Sequence, residues 1–183
     1  LVSKNRPPGI VFVGGLDASK RIDFLLESLV LVKRELPDLR IDFLGEGPLR
    51  EAVDLFAADF TDVNVWGFLA DSSKASILAR SDAIVMPGRV GLVALDSFAC
   101  GLPIVTTRHN LHAPEFSYLT EDENCRVSNN TVEDYSMCIL DLLTSVEELE
   151  RMQINCREAS GQYSIEQMVT NFGNGVLAAL GSP

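Results

Sequence analysis

The stretch from Met86 to Thr107, M-P-G-R-V-G-L-V-A-L-D-S-F-A-C-G-L-P-I-V-T-T, restricts the fold more than any other part of the chain. An apolar run from Ala83 to Met86 breaks at Pro87-Gly88-Arg89-Val90-Gly91. A helix-compatible segment follows, Gly101 stops it, and a second apolar run from Pro103 to Val105 resumes. Strand, tight turn, helix and strand make a βαβ unit, because parallel strands need a long crossover. Such a unit aims its turn, its bare backbone amides and a helix N-terminus at whatever anionic group lies beyond the strand ends.

The rest of the chain repeats this grammar. Ile10 to Val13 ends at Gly14-Gly15 and reads as a central strand, apolar on both faces; Arg40 to Leu44, ending at Gly45-Glu46-Gly47-Pro48, reads as a second strand. After the first comes a helix from Arg21 to Leu36, with Ile22, Leu25, Leu26, Leu29 and Leu36 on one face and Pro37 behind it. After the second comes a helix from Leu49 to Ala58, with Pro48 suited to its first turn. Asp62 to Trp66 alternates like an edge strand and turns through Gly67-Phe68-Leu69-Ala70 into a helix from about Asp71 to Ala79, capped by Asp71 or Ser72. Arg108 to Pro114 is a loop, Glu115 to Leu119 is ambiguous, and Cys125 to Val127 is a last short strand. From Thr131 onward the pattern is helical: Tyr135 to Leu143, Val146 to Ala159 and Ile165 to Leu180.

Strands alternating with helices, then helices alone, predict an α/β fold: a doubly wound, Rossmann-like parallel sheet of about six strands with C-terminal helices. The expected organisation is one domain over residues 1–183, with a linker remnant at 1–9, the sheet at 10–130 and a helical tail at 131–183. Leu1 in place of an initiator Met, and the linker-like Asn-Arg-Pro-Pro-Gly, predict a fragment of a longer protein.

Charge and cysteines narrow the chemistry. A formal net charge of −11 argues against a nucleic-acid or anionic-membrane surface, which needs a broad positive field. Any phosphate site must be locally basic. Cys100, Cys125, Cys138 and Cys156 lack metal-ligand spacing and are expected as free thiols. With neither a signal peptide nor a membrane-length apolar run, the expectation is a cytoplasmic domain.

Glycine loops at strand ends bring bare backbone close to a ligand. Gly45 and Gly47 lack the third glycine of a dinucleotide fingerprint, and Gly14 to Lys20 lacks the G-K-[S/T] ending of a phosphate loop. Lys20 follows a strand at a helix start, where an ammonium can meet a phosphate or simply face water. Arg21 reads as a surface residue. Asp96, between Leu92, Leu95 and Ala99 on an apolar helix, is expected to be buried, its carboxylate aimed at ribose hydroxyls or at backbone and Ser97. Trp66 packs in the core or stacks on a base. His109, His112 and Glu115 read as loop residues rather than zinc ligands.

The chain resembles the nucleotide-sugar-binding C-terminal domain of GT-B glycosyltransferases, family 4, the group 1 transferases. The matching segments, in order, are V-F-V-G-G-L-D-A-S-K-R-I-D-F-L-L-E-S from Val11, F-L-G-E-G-P-L from Phe43, N-V-W-G-F-L from Asn64, S-D-A-I-V-M-P from Ser81 and G-L-V-A-L-D-S-F-A-C-G-L-P-I-V-T-T from Gly91. The resemblance implies one half of a GT-B fold, acting in retaining transfer of a sugar from a nucleoside-diphosphate-sugar to an acceptor in glycan, polysaccharide or glycolipid synthesis. No metal or cofactor is implied.

The resemblance also implies roles. Lys20 is the diphosphate ligand and Asp96 stands in for the family's ribose glutamate. The backbone of Gly14, Gly15, Gly45, Gly47, Gly67, Phe68, Leu69, Gly88, Val90, Gly91 and Leu92 lines the donor site. Gly15 stands where the family has an arginine, and Gly88 where it has the first glutamate of E-x7-E, because P-G-R-V-G-L is shortened. Arg89 either replaces the lost cation or faces solvent. The implied partners are the donor and the protein's own N-terminal domain, through which any membrane contact would run; the isolated domain is expected to be inactive. A non-catalytic nucleotide-sugar-binding module and half of a nucleotide-sugar epimerase remain alternatives.

Overall fold

A computed structural model of the chain describes residues 6–181, so residues 1–5 of the expected linker lie outside the described residues. It contains strands β1 (Gly9–Val13), β2 (Arg40–Leu44), β3 (Val63–Gly67), β4 (Ala83–Met86), β5 (Ile104–Thr107) and β6 (Cys125–Ser128). The helices are α1 (Ile22–Glu35), α2 (Arg50–Ala58), α3 (Asp71–Leu78), α4 (Val93–Cys100), α5 (Val132–Thr144), α6 (Val146–Ser160) and α7 (Ile165–Gly181). Two 3-10 turns, Ala18–Lys20 and Pro114–Tyr118, complete the order; the second occupies the stretch the sequence left ambiguous.

All strand pairs are parallel, in the order β3-β2-β1-β4-β5-β6. The chain lays β2 and β3 outward on one side of β1, then returns to place β4 on the other side. The order therefore reverses between β1 and β4, and the loops leaving those strands part there to form a crevice.

The sheet forms because its central strands are short apolar runs that can be covered on both faces. Ile10, Val11 and Phe12, all of β4, and Ile104 and Val105 are buried, each of these side chains larger than alanine contributing about 1.5–3 kcal/mol on leaving water. Phe12 and Phe43 meet across β1 and β2 at 6.0 Å, and Phe56 of α2 packs edge-on to Phe43. α1 packs against α5, where Ser136 donates to the Ser28 carbonyl at 3.0 Å; α4 packs against α6. Thr131 caps α5 by accepting from the Asp134 amide, and Gly101, in the left-handed region at φ 66°, ends α4. The cap of α3 differs from expectation: Ala70, in extended backbone with no side-chain hydrogen bond, precedes the first helical residue, Asp71.

Candidate functional site

The loops after β1, β2 and β3 are joined through backbone. Gly14 N–H donates to Leu44 O at 2.9 Å, Gly45 N–H to Gly67 O at 2.8 Å, and Leu16 N–H to Glu46 O at 2.9 Å. This works only with glycine at 45, whose φ is 152° and where a Cβ would lie 1.8 Å from Gly14 O. The joined loops enclose a cleft of about 420 Å³ lined by Val13, Gly14, Gly15, Leu44, Gly45, Glu46, Gly67, Phe68, Leu69 and Lys74. Six of the residues named from sequence therefore share one cavity. Gly47 does not line it; its Cα faces the Leu16 backbone.

At the switch point the chemistry changes from backbone to charge. Lys20 ends the 3-10 turn and donates through Nζ to Arg89 O at 2.5 Å, while Arg89 N–H donates to Ser19 O at 2.9 Å. Gly88 is buried, and a Cβ there would lie 2.5 Å from the Lys20 carbonyl carbon, so glycine here lets the shortened turn lie on the first loop. Burial pushes the Lys20 ammonium below its usual lysine range; Asp17 opposes this and Arg89 reinforces it. Asp17 accepts from the Ser19 amide and hydroxyl, and chiefly the hydroxyl bond holds its carboxyl below the usual value. Lys20 stands just before α1, as the sequence implies, separated from its first residue by Arg21, whose φ is 56°.

Arg21 corrects the surface reading. Its guanidinium lies 3.9 Å from the centroid of the Phe24 ring and donates to Thr107 Oγ1 at 3.0 Å and Asn130 Oδ1 at 2.5 Å. It clamps the ends of β4, β5 and β6 behind Lys20. With glycine at 15, Arg89 is the other cation beside Lys20, and its side chain is exposed. Val90 is fully buried, and both its backbone polar groups have partners inside the chain: its N–H donates to His112 Nδ1 at 3.2 Å and its carbonyl accepts from Ala113. Among the described residues, no acceptor takes the Gly91 or Leu92 N–H. Both amides sit at the start of α4, and the Leu92 side chain is 67% exposed.

Asp96 is not buried, contrary to expectation: its side chain is 28% exposed and accepts from Lys74 Nζ at 2.8 Å. Helix α4 buries Val93, Ala94, Ser97 and Phe98 and turns Leu92, Asp96 and Ala99 outward. An apolar helix does not reveal which of its faces its own chain covers. Ser97 is no partner for Asp96, since its hydroxyl donates to Leu102 O. Lys74 thus links the cleft to α4, a role the sequence did not reveal. The buried carboxylates include Asp42, paired with Arg40 and Arg80 and hydrogen-bonded to Asn64 and the Trp66 indole, and Asp82, paired with Arg6 and accepting from the Gly9 amide. Trp66 accordingly caps Asp42, its ring half-exposed and outside the residues lining the cleft.

His109 and His112 meet edge-on at 5.9 Å, and His112 stacks on Phe116 at 3.9 Å. Among the described residues, no group of His, Cys, Asp and Glu side chains is arranged to hold a metal ion. The four cysteines are free; burial raises Cys125 to about 12 and Cys138 and Cys156 to about 11. Among the described residues no helix is long and apolar enough to cross a membrane.

Comparison with known proteins gives the family and the fold. The chain is 34% identical over 103 residues to the GDP-mannose-dependent α-(1-6)-phosphatidylinositol dimannoside mannosyltransferase of Mycobacterium tuberculosis, covering 54% of this chain and 27% of that protein. It is 28% identical over 177 residues to the sulfoquinovosyl transferase SQD2 of Arabidopsis thaliana, covering 91% of this chain and 32% of that one. The chain thus spans about a third or less of these relatives' lengths. The fold matches the pneumococcal O-GlcNAc transferase GtfA, crystallised with UDP and GlcNAc, at a TM-score of 0.79 and 18% identity, over 98% of this chain and 37% of that one. The profile described as Glycosyl transferases group 1 matches residues 7–145, and the chain belongs to that family.

Proposed function

We propose that this chain is the donor-binding half of a retaining glycosyltransferase, holding a nucleoside-diphosphate-sugar across the rim between β1 and β4. What supports the proposal is a half-buried ammonium at Lys20 bonded to the turn that leads into α4, unclaimed amides at Gly91 and Leu92 at the end of that turn, and the Asp96 carboxylate of α4, tied by Lys74 to the cleft. The nucleoside occupies the cleft under the β1, β2 and β3 loops, with Asp96 accepting from ribose hydroxyls. The diphosphate lies against Lys20 and the start of α4. As the glycosidic bond to the diphosphate breaks, charge grows on the departing phosphate, and fixed donors already aimed at it lower the barrier without reorganising.

Acceptor binding belongs to the rest of the protein, so the chain alone binds donor and transfers nothing. A second reading, a nucleotide-sugar-binding module without catalysis, is favoured by one feature. Gly88 is packed on the Lys20 backbone and supplies no carboxylate where the family's first glutamate would reach the sugar. Titrating the chain with UDP and GDP tests donor binding, with added EDTA testing that no metal is needed. Sugar transfer by the complete protein, reduced in Asp96→Ala, separates enzyme from binding module, which transfers nothing.

A further inference from the structure

His112 lies outside the residues assigned to the donor, yet it grips the turn that carries Arg89, Gly91 and Leu92. Its Nε2 is 3.1 Å from Thr107 O, which can only accept, so Nε2 bears the hydrogen. Nδ1 is then bare and accepts the Val90 amide at 3.2 Å. Ala113 N–H donates to Val90 O at 2.9 Å, so consecutive residues hold both polar groups of a fully buried residue. The ring orientation is fixed from behind by Phe116, parallel to within 10°. The residues after this grip, Gly91 and Leu92, are the ones whose amides are unclaimed.

We propose that His112 is a positioning residue for donor binding: its neutral imidazole fixes the turn between β4 and α4 so that the Gly91 and Leu92 amides face the diphosphate, and its protonation releases that turn. This inference rests on the donor-binding reading. A proton on Nδ1 sets N–H against the Val90 N–H, replacing a hydrogen bond by a donor–donor clash in a half-buried place. The charged and titratable groups around the ring are Lys20 from the first loop, Arg89 from the gripped turn, Arg108 and His109 from its own loop, Glu115 from the 3-10 turn, and Glu121 and the Cys125 thiol of β6 across a shared cavity. Burial, with His109 and Lys20, holds His112 below the usual histidine range, against the opposing Thr107 carbonyl. The neutral form therefore prevails at neutral pH, and the grip is lost as pH falls through the lowered value.

The test is titration of the wild-type chain, His112→Gln and His112→Phe with UDP and with GDP from pH 8 to pH 5. Glutamine keeps one acceptor and one donor without titrating, and phenylalanine keeps only the stack. At pH 7.5, His112→Gln is expected to bind within about threefold of wild type and His112→Phe about five- to tenfold more weakly. As pH falls, wild type converges on His112→Phe while the ratio of the two variants stays constant, which removes the nucleotide's own protonation from the comparison. A wild-type to His112→Gln ratio independent of pH overturns the inference alone. Absence of wild-type binding at every pH overturns the donor reading and this inference with it. Should His112→Phe fail to fold, nitrogen NMR of the wild-type chain decides: the Val90 amide is expected to shift with the His112 titration midpoint, and a Val90 amide indifferent to it refutes the grip.

Discussion

The two halves of the rim are built by different means. Under β1, β2 and β3 the loops are held together by backbone hydrogen bonds and glycines, and the cavity they make has few charged groups. At the junction of β1 and β4 two backbone bonds, from Arg89 N–H to Ser19 O and from Ala113 N–H to Val90 O, are joined by side-chain clamps: Lys20 on Arg89 O, Arg21 on Thr107 and Asn130, His112 on Val90. Backbone stitching gives a rigid cleft of fixed shape, suited to a flat base and ribose. Side-chain clamps place charge and leave amides open, suited to a diphosphate, and they can titrate.

The contrast predicts which substitutions cost stability and which cost binding. Gly45→Ala should be the most damaging, because its Cβ overlaps Gly14 O at a backbone angle alanine resists; a loss of about 3 kcal/mol or more is expected by denaturant unfolding. Unchanged stability there would contradict the stitched half. Arg21→Ala removes the clamp behind Lys20 and should cost about 1–2 kcal/mol, its charge-assisted bonds discounted for partial exposure. Asp96→Ala should leave stability nearly unchanged but weaken UDP or GDP about fivefold, with pyrophosphate binding unaffected, as expected of a carboxylate that touches only ribose. Equal weakening of pyrophosphate would place Asp96 at the phosphates instead. Gly91→Ala should be nearly silent in unfolding, within about 0.5 kcal/mol, because its Cβ meets nothing closer than 3.6 Å.

Legibility in the sequence divides along the same line. β2 and β4 run over the residues their apolar pattern marks, and the glycines at 14, 15, 45 and 67 locate the cleft, because strand length and loop glycines are local properties. The clamps depend on distant residues meeting. Nothing near Arg21 in sequence announces Asn130, and nothing near His112 announces Val90. The apolar pattern of α4 predicts a buried Asp96, whereas that face of the helix is left to Lys74 and solvent. Asp42 is not legible locally, because the partners that satisfy an acid in an apolar strand, Arg40, Arg80, Asn64 and Trp66, lie mostly on other elements. For Lys20 and Asp96 the residue pattern leaves a ligand role and a bland one open, and the family resemblance favours the ligand role.

The central claim is that the charged half of the rim holds a nucleoside diphosphate through Lys20. Calorimetric titration of the wild-type chain and Lys20→Ala with UDP and GDP at neutral pH tests it most directly. The account predicts binding of at least one nucleotide by wild type and a weakening of about ten- to a hundredfold in Lys20→Ala, with unfolding stability retained. Equal affinity of the two proteins would contradict it.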